Sequence, residues 1–314
     1  MRQLPQRLGD GVFAVDTEHV RPQADASYLI VDGERAAFVD TGTQRSVPNL
    51  LAALGALDID LGQVDYVLLT HVHLDHAGGA GALMASLPRA RVVVHPRGAP
   101  HLADPAKLLA AAKMLYGEKA FAAQFGDAVA IPAQRILTVA DGERLAFGAR
   151  TLEILHTPGH ALHHVCILDR DTRELFTGDT LGVSYRESDT AAGPFVFATT
   201  TPSQFDPGQL RASVARLAAL EPRCAYLTHY GRVDPVARLA RDLDADIDAV
   251  ARIARSCAPA ADRLPRIERE LFAYLSGRLQ AHGFAGDENG RHALLDGDVA
   301  LNAAGLDAWL RRAA

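Results

Sequence analysis

A mixed α/β fold with a helical C-terminal extension is predicted by two features of this 314-residue sequence. Short β-type runs alternate with turns and helical segments over the first two-thirds, the pattern of a layered α/β domain. After Gly231 the character changes: from Pro235 to the end no convincing strand occurs, and amphipathic helical stretches take over. The boundary is placed at 232, with residues 233–314 docked on residues 1–232, because three short helices with thin apolar stripes make too small a core alone.

The predicted strands are Gly11–Asp16, Ser27–Val31, Ala36–Asp40, Tyr66–Thr70, Arg91–His95, Arg135–Val139, Thr151–His156, His164–Leu168, Glu174–Thr177 and Cys224–Thr228. Each is rich in Val, Ile, Leu, Phe or Tyr and bounded by Gly, Pro, Asp or Asn. Asp32-Gly33 and Asp141-Gly142 read as hairpin turns. Helical patterns cover Pro48–Leu57, Gly79–Leu87, Pro105–Phe125 and Pro207–Leu220, the last with Asp206 as N-cap and Pro207 as first residue. In the extension, Pro235–Ser256 places Leu239, Leu243, Ile247, Val250 and Ile253 on one face. Pro265–Gln280 is a second helix, and Asn302–Arg311 a short last one.

The composition, 48% hydrophobic and 22% charged, is that of an ordinary globular chain. No run of about 18 apolar residues occurs, so no membrane span is expected. Met1 to Thr17 is too polar, and too broken by Gly9 and Asp10, to be a secretory signal. Three scattered cysteines fit a reducing compartment, so a cytoplasmic location is expected. Cys166 and Cys224 lie in apolar runs and read as buried and inert. A net charge of −6 without a basic stretch argues against nucleic acid as partner.

The chemistry is concentrated in Thr70-His71-Val72-His73-Leu74-Asp75-His76-Ala77-Gly78-Gly79, directly after the apolar run Tyr66–Leu69. Three imidazoles and a carboxylate within six residues would compete for protons with no packing benefit, but they are the preferred ligands of zinc and similar ions. Further ligands are expected from other strand ends: His160 in His156-Thr157-Pro158-Gly159-His160, Asp179 after Thr177-Gly178, and His229 after Leu227-Thr228. Rigid scaffold meets open space at each.

On these motifs the sequence resembles the metallo-β-lactamase superfamily in its hydrolase branch, with glyoxalase II and the lactonases, over about residues 10–231. The resemblance implies a four-layer αβ/βα sandwich with a site at one edge. It implies that His71, His73 and His160 hold one metal, that Asp75, His76 and His229 hold a second, and that Asp179 bridges them. Two zinc ions per chain are expected, with iron or manganese as alternatives. Asp179 stands where many true zinc β-lactamases carry cysteine, which argues against β-lactam hydrolysis. The flavodiiron branch, with glutamate at the position of His73 and a flavin domain, is disfavoured.

Two divalent ions bring +4. Asp75, Asp179 and a bridging hydroxide return −3, leaving a positive site suited to a developing oxyanion. Metal binding lowers the pKa of water toward about 7. The expected enzyme is therefore a dinuclear hydrolase of a small ester, thioester or lactone, with the bridging hydroxide as nucleophile and Asp75 shuttling its proton. The alternatives are a mononuclear iron persulfide dioxygenase, which needs only His71, His160 and Asp179, and a regulatory or binding protein that has kept the fold. A nuclease is disfavoured by the acidic balance.

His163 and His164 alternate in facing, so at most one points at the site; one of them is expected to support the ligands from behind, which of the two is left open, and His164 is taken as a catalytic candidate. Tyr230 could donate to an oxyanion, and Tyr185 could line the mouth. The segment His101–Ala130, with Met114, Leu115, Tyr116, Phe121 and Phe125, reads as a packed surface helix or a lid. The Tyr185–Thr201 loop reads as pocket wall or as a subunit interface in a homodimer.

Overall fold

The computed structural model describes residues 4–200 and 204–313, so Thr201, the end of the predicted loop, and Met1–Gln3 lie outside the described residues. The first sheet contains β1 (Gln6–Arg7), β2 (Val12–Asp16), β3 (Ala26–Asp32), β4 (Arg35–Val39), β5 (Val64–Leu68), β6 (Arg91–Val94) and β7 (Ile136–Thr138), in that spatial order. The second runs from β8 (Arg144–Phe147) through β9 (Arg150–His156), β10 (Val165–Asp169), β11 (Glu174–Gly178) and β12 (Cys224–Leu227) to β13 (Gly231–Val233). Asp32-Gly33 closes the β3–β4 hairpin, where Asp32 faces Arg35 and Gly33 takes a φ of 59°. From β4 to β7 the pairing is parallel, with helical crossovers.

The inner faces of the two sheets share one core, in which Tyr28, Ile30 and Val39 meet Phe147, Ile167, Phe176 and Tyr226. Helices α1 (Val47–Ala56) and α3 (Ala80–Ser86) cover the outer face of the first sheet, with Leu50, Leu54 and Leu83 beneath them. A single turn, α2 (Leu74–Ala77), precedes α3. Helix α7 (Pro207–Ala219) covers the outer face of the second sheet through Leu217, and Asp206 caps it by accepting the Gln209 N–H at 2.9 Å. The layers are therefore α/β/β/α, as expected.

Several details differ from the sequence reading, which also lacks β1, β8 and β13. Asp141-Gly142 is not a hairpin: β7 and β8 belong to different sheets, and the turn carries the chain between them. The predicted Pro105–Phe125 helix is split into α5 (Ala106–Tyr116) and α6 (Glu118–Gln124), after α4 (Ala99–Ala103), because Gly117 sits at φ 78°. The last helix is far longer than Asn302–Arg311: α10 spans Glu288–Ala313. Gly290, Gly297 and the acids Asp296 and Asp298 interrupt its apolar stripe and hid its first half.

The extension consists of α8 (Val236–Cys257), α9 (Arg263–Ala281) and α10. Leu239, Leu243, Ile247, Leu271, Leu275 and Leu306 share one cluster with Val183, Phe195, Phe197, Leu210 and Leu227. The apolar Phe195-Val196-Phe197 loop is thus covered within the chain rather than left for a subunit interface. Polar ties pin it: the Ala198 N–H donates to the fully buried Asp246 at 2.7 Å, and the Thr200 N–H to Asn302 Oδ1 at 2.6 Å. Truncation after Arg232 is expected to strip this cover and give insoluble protein; a soluble, active fragment in the supernatant after expression would contradict the shared core.

Candidate metal centre

The parallel strands end where the polar side chains begin. After β5, Leu69 and Val72 stay in the core, while the intervening residues turn toward the sheet edge. The α2 turn then rotates Asp75 and His76 back onto the same edge. His160 follows β9 through Pro158-Gly159. Gly159 has φ 133°, and a Cβ there would lie 2.2 Å from the Leu210 backbone nitrogen, so only glycine lets this turn pack on α7. Asp179 follows β11 through Gly178, whose φ is 47° and whose missing Cβ leaves room for His164 Nε2 and the Thr70 side chain.

All seven residues converge. His71 Nε2 lies 2.8 Å and His160 Nε2 3.2 Å from His73 Nδ1. Asp75 Oδ2 lies 3.7 Å from Nε2 of both His76 and His229. Asp179 stands between the groups. Its Oδ2 is 3.3 Å from His160 Nε2, whereas its Oδ1 is 3.2 Å from His76 Nε2 and 3.5 Å from His229 Nε2.

This donor set fits divalent cations. Nitrogen ligands at about 2.0–2.1 Å from a tetrahedral ion stand roughly 3.3 Å apart, close to these separations. His76 Nε2 and Asp179 Oδ1 are buried and face only each other and the neighbouring donors of the cluster, with no partner outside it, a costly state for polar atoms unless something else engages them. Burial and the adjoining imidazoles push His71 well below the ordinary imidazole range and His73 down to about 3. Burial opposes ionisation of Asp179, but His76, His229 and His160 outweigh it and hold its carboxyl well below the usual range. Neutral imidazole and carboxylate are the ligating forms. At the other donor group burial opposes protonation, but Asp179, Asp75 and Asp40 raise His76 well above the ordinary imidazole range, and Asp25 and Asp179 raise His229 to about 10, so these two rings release a proton to ligate as neutral imidazole.

A further ring of residues aims the imidazoles, and the sequence reading missed it. Fully buried Asp40 accepts from His76 Nδ1 at 2.8 Å, from the Thr70 N–H at 2.8 Å and from the Thr228 hydroxyl at 2.9 Å. It thereby ties together the loops that carry His71, His76 and His229. His229 Nδ1 donates to Asp25 Oδ1, and His71 Nδ1 lies 3.1 Å from Thr70 Oγ1. Each contact occupies one ring nitrogen and leaves the other directed inward. Asp40 follows the same rule as the ligands, an acid at the end of an apolar strand, and that was a readable signal. Asp25 carries no such pattern.

Two readings of catalytic residues are corrected. His164 is buried; its Nε2 accepts the Asp179 N–H at 3.1 Å, and its Nδ1 lies 2.9 Å from Thr157 Oγ1. It holds the Asp179 turn and faces no substrate space. Tyr230 is buried in the core between the sheets, since the residue after His229 alternates inward rather than toward the edge. His163 packs near the centre, its ring 5.7 Å from that of His73. Tyr185 does line the adjoining cavity and donates to Asp298 at 3.1 Å.

That cavity, about 510 Å³, opens directly on His73, Asp75, Asp179 and His229. Its walls come from α5, α6 and α10, with Leu108, Ala112, Leu115, Phe125, Leu294 and Leu301 facing in. The His101–Ala130 segment is therefore a pocket wall, and the extension supplies the opposite one.

A two-sheet sandwich with histidine and aspartate ligands gathered at one edge defines a class of metal-dependent hydrolases. The chain belongs to the metallo-beta-lactamase superfamily, whose sequence model matches residues 20–229. It is similar to a metallo-beta-lactamase fold-containing protein of Sulfurisphaera tokodaii, 27% identical over 68% of this chain and 76% of the relative. A hydroxyacylglutathione hydrolase of Aeromonas hydrophila is 31% identical over 62% of this chain and 56% of its own length. A human acyl-coenzyme A thioesterase is 28% identical over 55% and 64%. The match to these two enzymes thus spans less than two-thirds of their length. Among solved structures, a metallo-beta-lactamase family protein of Thermus thermophilus superposes with a TM-score of 0.64 at 22% identity, over 96% of this chain and 94% of that one. No helix of the described residues is long and apolar enough to cross a membrane.

Proposed function

We propose that the chain is a dinuclear zinc hydrolase of a small ester, thioester or lactone. The observation that carries this is the orientation of Asp179, whose two carboxylate oxygens face different donor sets. His71, His73 and His160 would hold one ion, Asp75, His76 and His229 the other, and Asp179 both. When bound, the ions lower the pKa of water toward about 7 and polarise a carbonyl oxygen. The chain's own residues do the rest. Asp40, Asp25 and Thr70 fix the ring orientations, and His164 fixes the Asp179 turn. Asp75, partly open to the cavity, accepts the proton of the attacking water. The hydrolase names of relatives support the reaction class.

Protein purified without chelator is expected to contain two zinc ions per chain, and dialysis against a chelator should abolish ester and thioester hydrolysis until zinc is restored. Elemental analysis giving one iron per chain would instead favour the persulfide dioxygenase reading. Two metals with no turnover on a broad panel would favour a binding protein.

A further inference from the structure

Resting on that hydrolytic reading, we infer that the substrate is an uncharged acyl compound with a long apolar acyl arm, seated between α5–α6 and α10. Beyond the metal edge both walls of the cavity are mainly aliphatic or aromatic, with Gln124 on the α5–α6 side and Asp298 and Asn302 on α10 as the polar exceptions. Its rim is apolar as well: Val20, Leu115 and Leu301 are 71%, 46% and 39% exposed, and all three line the cavity. Large apolar groups open to water around a ligand cavity mark a surface that a ligand covers.

Charge argues against a leaving group that carries carboxylates or phosphates of its own. The described cavity lining contains Asp25, Asp75, Asp179 and Asp298, with Arg21 as its one arginine or lysine beside the imidazoles of His19, His73 and His229. Arg21 is already engaged, paired with Glu187 and set over the Tyr185 ring at 4.4 Å. Asp25 is used by His229, and Asp75 and Asp179 by the ligand sets, while Asp298 faces the cavity and accepts from Tyr185. A glutathione thioester carries two carboxylates and a coenzyme A thioester three phosphate groups, and the described lining offers no lysine and no second arginine to receive them. In the reaction, water adds to the acyl carbon and the acyl C–O or C–S bond breaks. The leaving alkoxide or thiolate takes up a proton, giving acid plus alcohol or thiol.

The test uses the zinc-loaded full chain at pH 8 and three thioesters: acetyl and octanoyl N-acetylcysteamine, which are neutral, and octanoyl glutathione. The expected order in kcat/KM is neutral octanoyl at least tenfold above neutral acetyl, and at least tenfold above octanoyl glutathione. Leu115→Glu and Leu301→Glu, both at exposed positions, should each collapse the octanoyl-to-acetyl ratio below threefold. A readout independent of turnover is calorimetric binding of 2-decanone to the chelator-treated chain, which either glutamate should weaken at least tenfold. Turnover with no chain-length preference, or with octanoyl glutathione preferred, overturns the inference. So does the absence of decanone binding. If decanone binds and the glutamates weaken it while no thioester or ester is hydrolysed, the hydrolase reading fails and the apolar-arm site stands.

Discussion

Asp179→Asn is expected to purify with at most one metal per chain and to lose more than 10²-fold in turnover. An amide presents one oxygen and one NH₂ where the carboxylate presents two oxygens. Because Oδ1 faces His76 and His229 while Oδ2 faces His160, one donor set must then meet N–H donors instead of an acceptor. The site also loses one of the two carboxylates that offset +4 of metal charge. Loss of a residue that merely orients a ligand costs about 10–100-fold in affinity or activity, so loss of a shared ligand should exceed that. Asp75→Asn provides the contrast. Asp75 belongs to one donor group, with His76 and His229, so the His71–His73–His160 ion should be retained. At saturating zinc the rate should fall by about 10²–10⁴-fold from the missing proton acceptor. Both variants are read by elemental analysis and rate, side by side. Retention of two ions with unchanged affinity in Asp179→Asn would remove the bridge; a wild-type rate for fully loaded Asp75→Asn would remove Asp75 from the chemistry.

The candidate ligand positions, which the fold gathers at one edge, were legible because three conditions coincide in one stretch of sequence. An apolar strand ends abruptly, small residues follow, and metal-binding side chains begin. This holds for His71–His76, and again at His160, Asp179 and His229. What the sequence hid is long-range. His164 and Tyr230 both neighbour the centre in sequence, yet strand alternation and core packing turn one toward the Asp179 backbone and the other between the sheets. Asp25 becomes relevant only because β12 brings His229 beside it, 204 residues away. The first half of α10 was invisible because its glycines and acids suit a pocket wall more than a periodic stripe, and the pocket belongs to the tertiary fold.

Asp40 offers the second large effect, one that separates stability from metal binding. Its carboxylate receives the Thr70 N–H, the Thr70 and Thr228 hydroxyls and His76 Nδ1 at a fully buried position. Asp40→Ala leaves at least the Thr70 N–H and the His76 ring without an acceptor. At about 1–3 kcal/mol for each orphaned buried donor, the loss is roughly 2–6 kcal/mol, a large share of the 5–15 kcal/mol typical of a domain. Asp40→Asn should behave differently. Its remaining oxygen can serve the Thr70 N–H at the Oδ1 position, so most of the fold's stability is kept. Its NH₂ then faces His76 Nδ1, which must become the acceptor, and the ring proton moves to Nε2. An imidazole protonated on Nε2 offers no lone pair toward Asp75 and Asp179, so the His76 side of the centre should lose its ion. Expected results are a melting temperature near wild type, one metal per chain instead of two, and a His76 ring tautomer inverted in ¹⁵N spectra. Two tightly held metals in a well-folded Asp40→Asn chain would show that Asp40 sets the packing of the loops but not the orientation of the ligand.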